Sequence, residues 1–282
     1  PLAGTGASAM VFRTTLRGRP VAAKVFKNAS AGKYFTNEVR IMTEIGCHPN
    51  LIELVGFCKS PRAIVLEYSE YGSLFDLLHN ERELTTRRGV TPSPASSPAP
   101  PFSHATQQPQ QQSVSQLLIQ QHRARIAIGI ARGMAHLHRH RYAHLDLTSR
   151  NVLVSRELEA KICDYGLSVS MSDEGTSEHR LGHAPSYWKA PELCRKPRHK
   201  RDCDTFPTKV DVFSYAMILW EIFPAGQFPW NGDLHPDARL LAGDRPAIAT
   251  DCPYDWRTLI VACWQHRPDL RPLSLDIVRW ID

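Results

Sequence analysis

The chain has 282 residues, 42% of them hydrophobic and 22% charged, with a formal net charge of +6. This is enough apolar material for a sizeable core in one large domain or in two lobes. No apolar run approaches the roughly 18 residues that span a bilayer, and the N-terminus lacks the basic-then-apolar pattern of a signal peptide. We therefore expect no membrane segment, and the opening PLAGTG suggests a fragment.

The cysteines and the basic residues indicate an intracellular protein. Seven cysteines are scattered along the chain and none belongs to a C-x-x-C pair, so we expect neither a disulfide framework nor a zinc site. The reducing cytoplasm fits best, and the nucleus is an alternative. Much of the positive charge lies in RKPRHKR at residues 195–201. That run is either a solvated loop, a contact for an acidic partner or a localisation signal.

Four short runs near the N-terminus predict strands. AMVF (9–12) and PVAAKVF (20–26) are partly β-branched and are flanked by glycine and proline. NLIELVGFC (50–58) and RAIVLEY (62–68) have the same character. We expect these runs to form a small sheet.

One helix interrupts the strands, at AGKYFTNEVRIMTEIG (31–46). Its apolar residues Phe35, Val39, Met42 and Ile45 recur at helical spacing, and the segment ends on a glycine. The first part of the chain is therefore predicted to be a small sheet with one helix.

A proline-, serine- and glutamine-rich tract then interrupts the pattern, and we expect a disordered insert at about 81–114. Such a composition cannot bury enough apolar surface to offset its ordering entropy. Beyond it, residues 115–140 have the spacing of a long helix, and 210–223 is apolar nearly all round, as a helix inside a larger lobe would be. The predicted fold is α+β and bilobal, with a strand-rich first lobe (1–68) and a mostly helical second lobe (69–282).

Glycines, a lysine and a glutamate in this first part are candidates for phosphate binding. Gly4 and Gly6 lie between strand-like residues, where a backbone can pass close to phosphate, although a plain hairpin turn explains them equally well. Lys24 lies among apolar residues on a predicted strand. If it is buried it needs a partner, and Glu38 on the following helix is the natural one; the alternative is a surface lysine on an edge strand.

The segment HLDLTSRN, at residues 144–151, concentrates polar side chains between two apolar elements. Asp146 and Asn151 lie five positions apart, and Asp164 follows between a predicted strand and a glycine. Hard divalent cations prefer oxygen ligands of this kind. Each acid alone could be a helix cap or a turn residue, but the ordered set indicates a metal and phosphate site.

These motifs, followed by APE at 190–192, resemble in order and spacing the eukaryotic protein kinase domain. The resemblance covers almost the entire chain and is closest to the tyrosine-kinase-like and tyrosine kinase groups. It implies a bilobal fold, ATP and Mg²⁺ as cofactors, transfer of the γ-phosphate to a protein substrate, and no nucleic-acid partner.

The resemblance also implies roles for individual residues. The catalytic group would be Asp146, Lys24, Glu38 and Arg150, with Asn151 and Asp164 as the metal ligands. The residues implied to hold ATP are Gly4, Gly6, Val11, Ala22, Lys24, Leu66, Glu67, Ser69 and Leu153. Glu192 and Arg271 would form a buried ion pair, and Asp211 would hold the loop around Asp146.

Several positions depart from the usual kinase pattern. Leu145 replaces the arginine that normally precedes the catalytic aspartate, so activation by loop phosphorylation is not expected. Ala9 stands in place of the third glycine of the phosphate loop. Thr148 stands where serine/threonine kinases carry a lysine, and Arg150 matches tyrosine kinases, so these residues favour tyrosine. The overall resemblance is to the tyrosine-kinase-like group, whose members mostly phosphorylate serine and threonine, so both acceptor types stay open.

Besides an active protein kinase, the sequence allows two other functions, and it allows two interpretations of the insert. A pseudokinase, acting as a nucleotide-binding scaffold, would explain Leu145 and Ala9. A small-molecule kinase is disfavoured because APE, Asp211 and Arg271 resemble the platform for a protein substrate. The insert is either a passive linker or a polyproline ligand for a partner domain of the SH3 or WW type.

Overall fold

The computed structural model describes residues 2–5, 9–27, 31–79, 114–171, 186–194, 207–223, 229–232 and 236–282. Three predicted features lie outside these residues: Gly6, almost all of the insert, and the basic run at 195–201.

Five antiparallel strands form one sheet in the order β1-β2-β3-β5-β4. The strands are β1 (Leu2–Thr5), β2 (Ala9–Leu16), β3 (Arg19–Phe26), β4 (Leu54–Lys59) and β5 (Arg62–Glu67). β2 and β3 pair without interruption from Ala9 opposite Phe26 to Leu16 opposite Arg19. The two residues between them, Arg17 and Gly18, have φ of 49° and 78°, as a tight hairpin turn requires. The strands predicted at 9–12 and 20–26 are confirmed.

The strand predicted at 50–58 begins later than expected, at Leu54. Residues 50–52 pair instead with strand β8 (Ala160–Ile162). Ile162 donates its backbone N–H to Asn50 O and accepts the N–H of Ile52, both over 2.9 Å. Because their backbone groups are used in this way, residues 50–52 tie the sheet to the C-terminal part of the molecule.

The predicted helix is α1 (Gly32–Ile45), and its buried face packs on the sheet. Phe35, Met42 and Ile45 are buried along this face, seven and three residues apart, as on one face of an amphipathic helix. The helix ends at Gly46, whose φ of 66° favours glycine. The apolar pattern therefore located both the helix and its end.

The C-terminal part is mostly helical. The helices are α2 (Leu74–His79), α3 (Val114–Arg139), α4 (Pro191–Cys194), α5 (Pro207–Ile222), α6 (Pro236–Leu241), α7 (Tyr254–Cys263) and α8 (Ser274–Ile281). Every residue of α5 from Lys209 to Ile222 is buried, as the all-round apolar sequence predicted. Among the described residues, no helix combines the length and apolar character needed to cross a membrane.

Two pairs of very short strands complete the fold. β6 (Tyr142–Ala143) pairs with β9 (Val169–Ser170), and β7 (Val152–Val154) pairs with β8. These pairs frame the polar segments at 144–151 and 163–168. The result is the expected α+β architecture, with a strand-rich N-terminal part and a helical C-terminal part.

Candidate active site

The sheet presents a row of predicted site residues on one face. Val11 pairs with Lys24 across β2 and β3, and Ala22 pairs with Leu66 across β3 and β5. Directly opposed residues in an antiparallel sheet share a face, and so do residues two apart in one strand. Val11, Ala22, Lys24 and Leu66 therefore lie on the same face. Gly4 lies opposite Val11 on β1, which places its backbone next to this row.

Lys24 is joined to two carboxylates that come from distant parts of the chain. Its Nζ lies 3.0 and 2.8 Å from the two carboxylate oxygens of Glu38, and 2.9 Å from Oδ1 of Asp164. Lys24 is 8% exposed and Glu38 1%, so this is a buried ion pair and the alternative of a surface lysine is wrong. The pairing of Lys24 with Glu38 is confirmed.

The charges in this cluster stabilise one another. Burial alone would lower the pKa of Lys24, but the carboxylates of Asp164 and Glu38 raise it above its usual range. Burial alone would raise the pKa of Asp164, but the Lys24 ammonium keeps it below its usual range. The amine and this carboxylate are therefore both charged at neutral pH.

Asp146 and Asn151 meet across the turn at 149–151. Asn151 Nδ2 donates to the Asp146 carbonyl over 2.8 Å and to the Asp146 Oδ2 over 2.9 Å. The other carboxylate oxygen of Asp146, Oδ1, is buried and accepts no hydrogen bond from the residues that the structure describes. Burial, helped by the charge of Asp164, raises the pKa of Asp146 to about 7. The carboxyl group thus keeps one acceptor available for a ligand in a poorly solvated position.

Helix α5 holds the backbone of this loop through Asp211. The Asp211 carboxylate accepts the N–H of His144 over 2.7 Å and the N–H of Leu145 over 2.8 Å, and it also contacts the His138 ring at 2.9 Å. Leu145 has a φ of 62°, a conformation that a leucine seldom adopts. The fully buried Asp211 therefore fixes a strained backbone next to Asp146, in the role predicted for it.

The β7–β8 hairpin brings Asn151 and Asp164 together. Asn151 precedes β7 and Asp164 follows β8, and Cys163 N donates to Asn151 O over 2.9 Å across the open end. The side chain of Asp164 is 45% exposed, so part of its carboxylate remains accessible. Leu153, on the same hairpin, is partly buried. A carboxylate and an amide oxygen donor at one place fit a hard divalent cation.

Glu67, the last residue of β5, and Ser69 just beyond it make hydrogen bonds with neighbouring residues. Glu67 donates its backbone N–H to Glu53 O over 3.1 Å, and its carboxylate accepts from Glu53 N and from Lys161 Nζ. The carbonyl of Ser69 accepts Gly72 N over 3.3 Å, while Ser69 Oγ is buried and has no hydrogen-bond partner among the described residues. Leu66, the preceding residue of β5, is buried at 7% exposure.

Arg150 lies next to helix α2. Its guanidinium carbon is 3.4 Å from the centre of the Phe75 ring, and the Phe75 ring meets Trp188 edge-on at 6.3 Å. Among the described residues, no hydrogen bond joins Arg150 to Asp146. The structure therefore places this cation on an aromatic platform beside the loop, and does not bring it into the cluster around Lys24.

The sequence reasoning missed a buried network centred on Glu221. This residue of α5 is 1% exposed and accepts hydrogen bonds from Trp188 Nε1 over 2.6 Å and Ser149 Oγ over 3.1 Å. Its other close contact is the ring of His79, at 3.3 Å. A glutamate among the apolar residues at the end of the helix was the only signal in the sequence. The network ties α2, the turn at 149–151 and the segment around Trp188 to α5.

The predicted ion pair between Glu192 and Arg271 is present. The Arg271 guanidinium contacts both carboxylate oxygens of Glu192, over 2.7 and 2.8 Å, and is itself 1% exposed. It also donates to the carbonyls of Lys209, Gln265 and His266. This pair fixes α4 against the start of α5.

Comparison with known proteins agrees with this geometry. The family model for "protein tyrosine and serine/threonine kinase" matches residues 2–281. Three relatives illustrate the range of similarity. The dual specificity protein kinase pyk3 of Dictyostelium discoideum is 30% identical over 98% of this chain and 18% of its own length. The fibroblast growth factor receptor homolog 1 of Drosophila melanogaster is 30% identical over 99% of this chain and 37% of its own length. The tyrosine-protein kinase Btk of Drosophila melanogaster is 29% identical over 95% of this chain and 30% of its own length.

The chain thus spans well under half the length of each of these relatives, between 18% and 37%. The matched region nevertheless contains every described residue of the cluster around Lys24, Asp146 and Asp164. By the match over residues 2–281, the chain belongs to the protein tyrosine and serine/threonine kinase family.

Proposed function

We propose that this chain is a catalytically active kinase domain that transfers the γ-phosphate of ATP to a hydroxyl group of a protein substrate. One observation carries the proposal. Lys24 is already paired with Glu38 and Asp164, while Asp146 and Asn151 are joined in the adjacent loop. A nucleotide and its metal ion would therefore meet groups that are already in position, which is the main contribution of a protein to phosphoryl transfer.

The nucleotide would bind between the sheet face and the β7–β8 hairpin. Lys24 would hold the α- and β-phosphates, and the backbone near Gly4 and Gly6 would cover them. The adenine would contact apolar side chains from both sides and polar groups of the segment after β5. The residues we assign to adenine are Val11, Ala22, Leu66, Glu67, Ser69 and Leu153.

Asn151 and Asp164 are the proposed ligands of Mg²⁺. Their oxygen donors suit that cation, and the Asp164 side chain remains 45% exposed although its Oδ1 contacts Lys24. When bound, Mg²⁺ would supply positive charge against the phosphate oxygens. Lys24 would supply the second positive charge, and Glu38 would keep it in place.

Asp146 is the proposed base for the acceptor hydroxyl. Its Oδ1 is buried and has no hydrogen-bond partner among the described residues, so it can accept the hydrogen bond of a substrate hydroxyl. Asn151 fixes the other carboxylate oxygen and so sets the orientation of Oδ1. Arg150, on its aromatic platform, would contact the substrate at the edge of the site.

Both tyrosine and serine or threonine are candidate acceptors, because the named relatives include a tyrosine-protein kinase and a dual specificity protein kinase. Arg150 favours tyrosine and the overall resemblance favours serine or threonine. Phosphoamino-acid analysis of a labelled peptide library decides between them.

We also propose that the tract between α2 and α3 is an insert that leaves the catalytic fold intact. α2 ends at His79 and α3 begins at Val114, so the tract connects two helices of the C-terminal part. The partner of this insert would be a domain of the SH3 or WW type. We place the protein in the cytoplasm, where the free thiols of the described cysteines would be stable. Deleting residues 85–112 should leave ATP binding unchanged and abolish binding to an SH3 or WW domain array.

The main test is phosphate transfer from labelled ATP and Mg²⁺ to a mixed peptide library. The wild-type chain should label peptides, and Asp146→Asn should reduce the rate by about 10²- to 10⁴-fold while still binding ATP. Equal labelling by wild type and Asp146→Asn would refute the assignment of Asp146. ATP binding without any labelling by the wild type would show that the chain is a pseudokinase.

A further inference from the structure

Asn37, the residue before Glu38, makes a contact that the sequence did not suggest. Its side chain is buried, at 6% exposure, on the side of α1 that faces the segment after Asp164. The amide nitrogen Nδ2 lies 3.2 Å from Tyr165 O, 3.3 Å from Gly166 O and 2.9 Å from Ser168 O. One side chain of α1 therefore holds three carbonyl groups of this segment.

The chemistry of the contact requires an amide. The carbonyls belong to a 3-10 turn at 165–167 and the residue after it, and Tyr165 O also accepts the N–H of Ser168 over 3.1 Å within the turn. Asn37 offers two N–H groups to the three carbonyls. Its Oδ1 in turn accepts Arg40 Nη2 over 3.2 Å, which fixes the orientation of the amide. A carboxylate at position 37 would instead place negative charge against the three carbonyl oxygens.

The contact closes a ring of polar interactions. Asn37 and Glu38 are adjacent on α1; Glu38 holds Lys24, Lys24 holds Asp164, and Asp164 directly precedes the turn that Asn37 binds. Displacing α1 from the turn would therefore also pull Glu38 away from Lys24. The ring couples the position of α1 to the groups that would bind phosphate and metal.

A second contact ties the same helix to β6. The hydroxyl group of Tyr142 donates to Glu44 of α1 and accepts Arg40 Nη1 over 3.1 Å. The residue before Asp146 is the apolar Leu145, 4% exposed, which offers no positive charge to a phosphate group. The contacts of Asn37, Arg40 and Glu44 that hold α1 against the C-terminal part therefore form without any phosphate group.

We propose that Asn37 is a positioning residue that clamps α1 to the turn at 165–167 and keeps Glu38 and Asp164 paired with Lys24 without phosphorylation of the chain. This inference rests on the proposed kinase activity, because the ring matters for catalysis only if Lys24 and Asp164 act on ATP. Asn37 does not touch the reacting groups. Its effect is transmitted through the position of α1.

The test compares Asn37→Asp and Asn37→Ala with Thr43→Ala. Asn37→Asp keeps the size of the side chain but removes both N–H donors, whereas Asn37→Ala removes the amide without adding charge. Thr43 is a matched control: it is exposed on the same helix and its hydroxyl only donates to Val39 O within the helix. All proteins are treated with phosphatase before assay, and mass spectrometry confirms that no phosphate remains.

The expected kinetic result separates positioning from binding. Dephosphorylated wild type and Thr43→Ala should have the same kcat as the untreated wild type. Asn37→Ala should lower kcat by about tenfold and Asn37→Asp by more, with the KM for peptide within about twofold of wild type. An unchanged kcat in Asn37→Ala, or a wild type that loses its activity on dephosphorylation, would overturn the proposal.

A second measurement does not depend on activity. Hydrogen exchange followed by mass spectrometry should show faster exchange for residues 32–45 in both Asn37 variants and unchanged exchange in Thr43→Ala. If the wild type labels no peptide, the proposed function fails and this measurement alone decides whether the clamp exists. If Asn37→Asp does not fold, Asn37→Ala carries both tests. Equal exchange in Asn37→Ala and wild type would show that the clamp does not hold α1.

Discussion

Asn151 Nδ2 binds Asp146 twice, at its backbone carbonyl over 2.8 Å and at its carboxylate over 2.9 Å. The two contacts lock the Asp146 side chain to its own backbone. Oδ1, which makes no hydrogen bond to any described residue, is thereby held in one direction. The orientation of the proposed base thus depends on a residue that is also a proposed metal ligand.

Asn151→Ala should accordingly damage two functions at once. We expect kcat to fall by on the order of 10²-fold, because Asp146 loses its orientation and the metal loses a donor. The variant should also bind Mg²⁺ more weakly, so that it reaches half-maximal activity at a higher Mg²⁺ concentration than wild type. A fall in kcat with an unchanged Mg²⁺ requirement would show that Asn151 only orients Asp146.

The ion pair between Glu192 and Arg271 should contribute strongly to stability. Arg271 is 1% exposed, so Glu192→Ala would leave a buried guanidinium without its carboxylate. We expect the free energy of unfolding to fall by about 3–5 kcal/mol, measured by denaturant titration. Arg267 and Asp269 provide the control, because both side chains of that pair are well exposed, at 70% and 43%. Arg267→Ala should leave the midpoint unchanged, and equal losses in the two variants would contradict the argument.

Gly133 marks the closest approach of α3 to the segment at 50–52. A Cβ atom at this position would lie 2.6 Å from the carbonyl oxygen of Asn50 and 3.1 Å from Ile162 Cδ1. Gly133→Ala should therefore lower the free energy of unfolding by about 1–3 kcal/mol, despite the better helix propensity of alanine. Gly56→Ala is the control, since no atom lies within 4 Å of a Cβ added there. Thermal unfolding of both variants tests the difference, and a stabilised Gly133→Ala would refute the packing argument.

His48 should make the stability depend on pH. Burial and neighbouring positive charges lower the pKa of His48 from 6.5 to about 4. The groups around it are His136, Lys161, Arg132 and Arg139. Since the unfolded chain takes up the proton first, the contribution of His48 to the free energy of unfolding is constant above pH 6.5 and falls as the pH drops from 6.5 to about 4.

The size of this effect is on the order of 1 kcal/mol, because His48 is only partly buried and solvent screens the charges. His48→Asn keeps an acceptor for the Asn50 N–H, which His48 Nδ1 binds over 3.1 Å. Its unfolding free energy, followed by urea titration between pH 4 and 7, should depend less on pH than that of wild type. The same slope in both proteins would contradict the prediction.

The sequence predicted the elements whose side chains repeat with a clear period. α1 shows Phe35, Met42 and Ile45 at helical spacing, and β3 is a short, partly β-branched apolar run, so both were found close to their observed bounds. The pairing of Lys24 with Glu38 was also predictable. A lysine buried on a strand needs an opposite charge, and the next helix offers a glutamate among its apolar residues.

Features that depend on pairing between distant residues were not predictable. β6 is two residues long, and it exists because Tyr142 and Ala143 find partners at Ser170 and Val169. Asn37 does not belong to the apolar pattern of α1. The weak signal in the sequence was its position four residues before the buried Ile41, which puts a polar side chain on the buried face. Its role depends on three carbonyl groups about 130 positions away, at 165–168, which appear beside it only in the folded chain.

The anchoring of the loop by Asp211 has a mechanical consequence. Asp211 belongs to α5, which is buried from Lys209 to Ile222, so the backbone at 144–145 is anchored to a helix in the core. If the sheet and the β7–β8 hairpin separate to release product, we expect the loop at 144–151 to stay in place and the sheet to move. The distance from Lys24 Nζ to Asp164 Oδ1, which is 2.9 Å in this structure, would then increase with the movement of the sheet. The distance from Asn151 Nδ2 to Asp146 Oδ2 would stay the same, because both residues belong to the anchored loop.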